Sequence, residues 1–137
     1  MTIRTAKLTI SLVWMAGAIP LLLILIVRQL AGFYETDPKV AWTWAAQYLF
    51  PTLTLIGGAW SVASSAAEDT PMSSTVVVWG AILLSVFYIA VLYLILGTQA
   101  VSTQPAQTIF EQSGLYLSLL NALVVGWLGK FFVESKR

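Results

Sequence analysis

The sequence contains no cysteine and no histidine among its 137 residues. Without cysteine the chain has no disulfide and no thiol nucleophile, and without histidine it has no imidazole base and no haem-ligating imidazole. Cysteine and histidine are also the usual ligands of zinc in small structural sites, so a Cys/His zinc site is excluded. These absences remove several common routes to catalysis.

Charge is also scarce. Charged residues make up 9% of the chain and hydrophobic residues 58%, whereas an ordinary soluble domain is roughly 25% charged. The net charge is +1, and the seven Lys and Arg residues are scattered over the segment ends. The sequence therefore gives no basic surface for nucleic acid. We therefore expect the lipid bilayer to be its main solvent and no nucleic acid among its partners.

Four long apolar stretches are each long enough to cross a membrane. About 30 Å of hydrocarbon requires roughly 20 helical residues at 1.5 Å per residue. The stretches also lack the alternation of barrel strands. We predict an all-α integral membrane protein, a single transmembrane domain over 1–137 without a soluble domain. Its four transmembrane helices are expected at about 8–30, 40–65, 74–97 and 106–133.

The predicted connections are short, which favours an antiparallel up-down four-helix bundle. Lys and Arg are held preferentially on the cytoplasmic side of a membrane. They cluster before the first helix and at the end of the last, at Arg4, Lys7, Lys130, Lys136 and Arg137. We therefore expect both termini in the cytoplasm, a plasma or inner membrane location, and a cytoplasmic hairpin at 66–73.

A faint internal repeat relates the two halves of the chain. Several residues recur at one constant spacing, about half the chain: Tyr48, Leu49, Leu55 and Gly58 match Tyr116, Leu117, Leu123 and Gly126. A shorter similarity relates Gly17-Ala18-Ile19 to Gly80-Ala81-Ile82. A duplication would produce two parallel two-helix repeats. Apolar sequences match one another easily, so the alternative without duplication stays open.

Each predicted helix carries one tryptophan near its cytoplasmic end. These are Trp14, Trp60, Trp79 and Trp127. Tryptophan is enriched at membrane interfaces, where its ring anchors a helix, and we favour this interpretation. The alternative is a ring of indoles that faces a shared interior and forms a constriction.

The predicted second helix has the most unusual composition. Pro51 cannot donate to the carbonyl of Gln47, and its ring crowds that carbonyl, so we expect a kink there. Gly57, Gly58 and Ser61 form a small face that another helix can approach closely. We favour such packing over a hinge around a binding site, the arrangement of many transporters.

Two further positions belong to this packing hypothesis. Pro20 is expected to kink helix 1 at a similar fraction of its length, which favours a pairing of helices 1 and 2. Gly126 adds a small residue to helix 4.

Polar residues are few within the predicted spans, and ionisable residues are absent from their centres. The intramembrane polar or pore candidates are Gln47, Thr54, Ser85, Ser118 and Asn121. An amide in the membrane favours an interhelical hydrogen bond, worth about 0.6–2 kcal/mol. We expect Asn121 to bond Gln47, Thr54 or Ser85, or else another subunit.

Charged residues gather at the predicted outer mouth: Arg28, Glu35, Asp37 and Glu111. An Arg28 to Glu111 contact would join the first and last helices. We favour instead a local pairing of Arg28 with Glu35 or Asp37, or snorkelling of its side chain to lipid phosphate.

Enzyme activity is not expected, because the spans offer serine and threonine hydroxyls with no base beside them. We expect no cofactor and no bound metal. The favoured hypothesis is a subunit or docking partner of a larger membrane complex. One alternative is a self-assembling pore lined by Gln47, Thr54, Asn121 or the tryptophans. The second alternative is a small transporter.

Overall fold

The computed structural model describes residues 2–61 and 75–134. Its regular elements are α-helices: α1 Ile3–Leu30, α2 Val40–Tyr48, α3 Phe50–Ser61, α4 Thr75–Val101 and α5 Ala106–Glu134. Three of them, α1, α4 and α5, are long and apolar enough to cross a membrane. The hairpin predicted at 66–73 and the basic residues Lys136 and Arg137 lie outside the described residues.

The predicted second helix is divided at Leu49. The Leu49 N–H donates to the carbonyl of Ala45 at 2.9 Å and closes α2, and α3 begins at the next residue. Pro51 is the second residue of α3. Backbone N–H groups in the first turn of a helix have no acceptor within that helix, so proline, which lacks this N–H, is tolerated there. The described part of the chain therefore has five helices where the sequence predicted four.

The ends of α1 follow from local capping. α1 begins at Ile3, five residues earlier than predicted, because the Thr2 hydroxyl accepts the N–H of Thr5 at 3.2 Å. The helix ends at Leu30, and the chain turns away at Gly32, whose φ of 76° is accessible to glycine without strain. There the N–H of Phe33 returns to the carbonyl of Arg28 at 2.9 Å.

The most extensive contact of α1 is with α4, and the two helices run parallel. Their contacts rise together along both sequences: Trp14 with Tyr88, Gly17 with Ile89, and Arg28 with Leu96. Among the described residues, α1 makes no extensive contact with α2 or α3. The expected pairing of helices 1 and 2 is therefore wrong, and Pro20 is exposed.

The other half of the bundle is organised around α5. α5 packs antiparallel on α4, and it packs parallel to α2 and α3 on its other side. Trp44 reaches Ser113 and Tyr48 reaches Gly114, so these sequence numbers also rise together. The helices therefore follow the spatial order α1, α4, α5, then the broken pair α2 and α3.

Candidate functional site

Two grooves flank the contact between the broken pair and α5. The loop end of the bundle carries the connections 31–39 and 102–105, and the terminus end carries Ile3 and Glu134. The loop-end groove has a volume of about 360 Å³ and is lined by Asp37, Val40, Thr43, Trp44, Gln47, Tyr48, Gln107, Phe110, Glu111 and Gly114. The terminus-end groove, of about 370 Å³, is lined by Lys7, Thr54, Leu55, Gly58, Ala59, Gly129 and Phe132.

The helix break is stabilised by a hydroxyl from a neighbouring helix. Tyr88 on α4 is fully buried, and its hydroxyl donates to the carbonyl of Tyr48 at 2.7 Å. Thr54 donates instead to the carbonyls of Phe50 and Pro51 in its own helix. The hydroxyl oxygen of Thr52 is buried and has no partner among the described residues. Backbone carbonyls freed inside a membrane need such donors, and here α4 supplies one.

The glycines chosen from the sequence are not the close-packed ones. A Cβ added at Gly57, Gly58 or Gly126 would meet no atom of another segment within 4 Å among residues 2–61 and 75–134. An added Cβ would lie 2.7 Å from Ile89 at Gly17, and 2.8 Å from the Trp127 ring at Gly80.

Among the described helical glycines, those approached closely by another helix are therefore Gly17, Gly80 and Gly114, the last with the Tyr48 hydroxyl 3.0 Å from an added Cβ. Gly57, Gly58 and Gly126 make no such contact there, so their role in helix packing stays a prediction. The side chain of Ser61 lies outside the described part.

The intramembrane polar side chains mostly bond to their own helices. Ser85 is buried and donates to the carbonyl of Ala81 at 2.7 Å. Ser118 donates to the carbonyl of Gly114 at 2.6 Å and lies 3.4 Å from the Tyr48 hydroxyl.

The amide of Asn121 differs from these hydroxyls. Its oxygen is buried and has no hydrogen-bond partner among the described residues. The expected bonds from Asn121 to Gln47, Thr54 or Ser85 are therefore not formed within that part of the chain.

The described tryptophan side chains Trp14, Trp79 and Trp127 do not face one shared interior. Trp14 is fully buried, 5.9 Å from the ring of Tyr88. Trp79 and Trp127 are 56% and 40% exposed, and the Trp127 indole donates to the carbonyl of Val77 at 3.1 Å. The side chain of Trp60 lies outside the described residues. The constriction hypothesis is therefore contradicted for Trp79 and Trp127 within this chain.

Arg28 is held by α4 instead of by a carboxylate. Its guanidinium donates to the carbonyl of Leu96 at 2.9 Å and to the amide oxygen of Gln99 at 3.2 Å, and it lies 5.2 Å from the centre of the Phe33 ring. Neither the Glu111 contact nor the favoured local pairing is formed among the described residues. Glu35 is exposed, and Glu111 accepts from the Gln107 amide at 3.0 Å.

Gln99 joins this cluster to the first loop. Its amide oxygen also accepts from the Tyr34 hydroxyl at 3.2 Å, and both side chains are buried. Burial raises the pKa of the Tyr34 phenol above its usual value, while the hydrogen bond and positive charge of Arg28 partly oppose this. Sequence reasoning missed Gln99 and Tyr88. Their signal was a polar group on a nearly uniform apolar helix.

Three of the residues predicted as functional come together in the loop-end groove: Asp37, Gln47 and Glu111. Within residues 2–61 and 75–134, no three acidic side chains form a group able to hold a metal ion. No protein-family model, curated protein or solved structure matches the chain. The two grooves are therefore the candidate functional sites of the described chain.

Proposed function

We propose that this chain is a non-enzymatic membrane subunit that binds a transmembrane helix of another membrane protein in the terminus-end groove. The observation that supports the proposal is the contrast between its glycines. Gly17 and Gly80 are filled by side chains of the same chain, whereas a Cβ added at Gly58 or Gly129 in the groove would meet no atom of another described segment within 4 Å. Small residues permit close backbone approach between membrane helices.

The same proposal includes a fourth membrane crossing. α2 and α3 together run from Val40 to Ser61, roughly 30 Å at 1.5 Å per residue, which is the thickness of a bilayer core. We place both termini in the cytoplasm, in a plasma or inner membrane. The basic residues Arg4, Lys7 and Lys130 at the terminus end support that orientation.

Co-purification tests the docking proposal. A tagged chain extracted from its native membrane in mild detergent should carry a foreign membrane protein at a fixed ratio. Gly58→Leu should abolish co-purification of that protein, because the leucine side chain fills the groove. Gly97→Leu is the matched control, because Gly97 is an equally open glycine outside the groove. Retention of the partner by Gly58→Leu at the level of the unmodified protein would contradict the proposal.

A pore is the second candidate, and one observation favours it. Gln47, Thr54 and Ser118 are exposed on the surface of the bundle, so several copies can place these polar groups along a common axis. Two results together would favour a pore over docking. The chain would be extracted as a symmetric multiple of its own mass, and the purified protein would carry an ion current that Gln47→Leu changes. Extraction as a monomer would point to the small-transporter hypothesis.

A further inference from the structure

The loop-end groove combines aromatic walls with acidic side chains. Trp44, Tyr48 and Phe110 contribute rings, and Asp37 and Glu111 contribute carboxylates. Its volume of about 360 Å³ is near the lower end of the roughly 300–1,000 Å³ typical of small-molecule sites. The groove is therefore large enough for a small organic ligand.

The aromatic wall is fixed by hydrogen bonds behind it. The buried Trp44 indole donates to the Ser113 hydroxyl at 3.1 Å, and the Tyr48 hydroxyl donates to the carbonyl of Gly114 at 3.4 Å. The centroids of the Trp44 and Phe110 rings are 5.0 Å apart. These bonds hold the Trp44 and Tyr48 side chains to α5, which also carries Phe110. Trp44 and Phe110 are only 2% and 3% exposed, so the half-buried Tyr48 ring provides most of the aromatic surface that a ligand can reach.

The charge of the groove is negative. Its described lining contains two carboxylates and no lysine or arginine. The nearest basic residue in sequence, Lys39, is exposed and contributes its backbone N–H to the Asp37 carboxylate at 3.1 Å. Arg28 points to Leu96 and Gln99 instead. No basic side chain in the described lining therefore neutralises the carboxylates.

Rings and carboxylates together favour one class of ligand. Aromatic faces attract cations, and the attraction grows from about 0.5–1 kcal/mol at exposed sites to about 2 kcal/mol where water is excluded. A carboxylate adds Coulomb attraction that is stronger in a less polar surrounding. An inorganic cation would gain little from the apolar walls, whereas an alkylammonium ion uses both features.

We propose that the loop-end groove binds an organic ammonium group, with its alkyl surface against the Tyr48 ring and the accessible edges of Trp44 and Phe110, and its charge near Asp37 and Glu111. This site is separate from the terminus-end groove and does not depend on the docking proposal. An ammonium group can come from a soluble amine or from the choline headgroup of a lipid. Both sources present the same chemistry to the groove.

Calorimetric titration of the purified chain with tetraethylammonium chloride, in an uncharged maltoside detergent, tests the proposal. Sodium chloride at equal ionic strength is the blank. We expect saturable binding that is about tenfold weaker in the double variant Asp37→Asn, Glu111→Gln, since two charge attractions are lost. Glu35→Gln removes a carboxylate of the same loop that does not line the groove, and it should bind as the unmodified chain does.

Two results overturn the proposal: no heat above the sodium chloride blank, or undiminished binding by the double variant. If that variant does not fold, Glu111→Gln alone provides the same comparison at an exposed position, with a loss of a few fold expected. Repeating the titration in nanodiscs separates the two sources. Weaker binding in phosphatidylcholine than in uncharged galactolipid assigns the site to the choline headgroup, and equal binding assigns it to a soluble amine.

Discussion

Glycine has two opposite roles in this chain. At Gly17, the missing side chain lets α1 approach α4 so closely that an added Cβ would overlap Ile89. At Gly126, the missing side chain leaves open space on the surface of α5. The two positions are both helical and both in predicted membrane spans, so they form a matched pair for measurement.

Gly17→Ala should destabilise the folded protein by about 1–3 kcal/mol, because the buried Ile89 has little room to move. Gly126→Ala should be neutral or stabilising by up to about 1 kcal/mol, as expected for alanine in an open helical position. Titration with a denaturing detergent, followed by circular dichroism, measures both free energies of unfolding. Equal effects at the two positions would show that the α1–α4 contact has room for an additional methyl group at residue 17.

At the scale of elements, the break between α2 and α3 has a partner on α4. The carbonyl of Tyr48 lies at the end of α2, and the hydroxyl of the buried Tyr88 donates to it. A polar backbone group without a partner is costly in an apolar surrounding. The break is therefore stabilised by a hydrogen bond from α4, in addition to the proline that follows it.

Tyr88→Phe removes this donor while it keeps the ring against Trp14. We expect a loss of about 1–2 kcal/mol in the free energy of unfolding, the usual effect of leaving a buried acceptor unpaired. Tyr116→Phe is the control, because Tyr116 is an exposed tyrosine on α5. The same detergent titration measures both variants. If Tyr88→Phe destabilises the protein no more than Tyr116→Phe does, the Tyr88 hydroxyl does not stabilise the helix break.

The elements themselves were largely predictable, but their contacts were not. Length and hydropathy located the three continuous helices to within a few residues, and Pro51 marked the region of the break. Helices that are apolar on every side carry no polar face to distinguish lipid from core. For that reason the sequence did not separate the filled Gly17 from the open Gly57, and the pairing of helices 1 and 2 was wrong.

The candidate site was predictable only as separate residues. Asp37, Gln47 and Glu111 stood out as polar groups in an apolar chain, but their shared groove depends on the parallel packing of α2 on α5. Trp44 and Phe110 gave no signal of their own, because aromatic residues are common near membrane interfaces. Their contribution becomes visible only from the three-dimensional arrangement.

At the scale of the whole molecule, some residues of the faint repeat occupy matching surroundings. Leu49 and Leu117 are both fully buried. Gly58 and Gly126 are both open, while Gly17 and Gly80 are both filled by a large side chain. The helices that carry them run parallel, α2 and α3 with α5 and α1 with α4. Other pairs differ, since Tyr48 and Leu55 are half-buried whereas Tyr116 and Leu123 are exposed. The two-repeat hypothesis therefore stays a prediction.

Membrane topology is the whole-molecule property that a cysteine-free chain makes easy to measure. Single substitutions Thr36→Cys and Thr103→Cys lie in the two loops, and Thr5→Cys lies near the start of α1. A membrane-impermeant maleimide added to intact cells should label the two loop positions, and Thr5→Cys only after permeabilisation. Labelling of Thr36→Cys and Thr103→Cys from opposite sides would show that α2 and α3 do not cross the membrane.

The spatial order of the helices has a consequence for how the protein is made. Arg28 bonds a residue 68 positions later and Trp44 one 69 positions later, so neither side chain has its partner when the first helices leave the ribosome. The contact of α1 with α4 and that of α2 with α5 therefore form only after α4 and α5 have been synthesised. Contacts this distant in sequence slow folding, so we expect these two hydrogen bonds to form late in the assembly of the bundle.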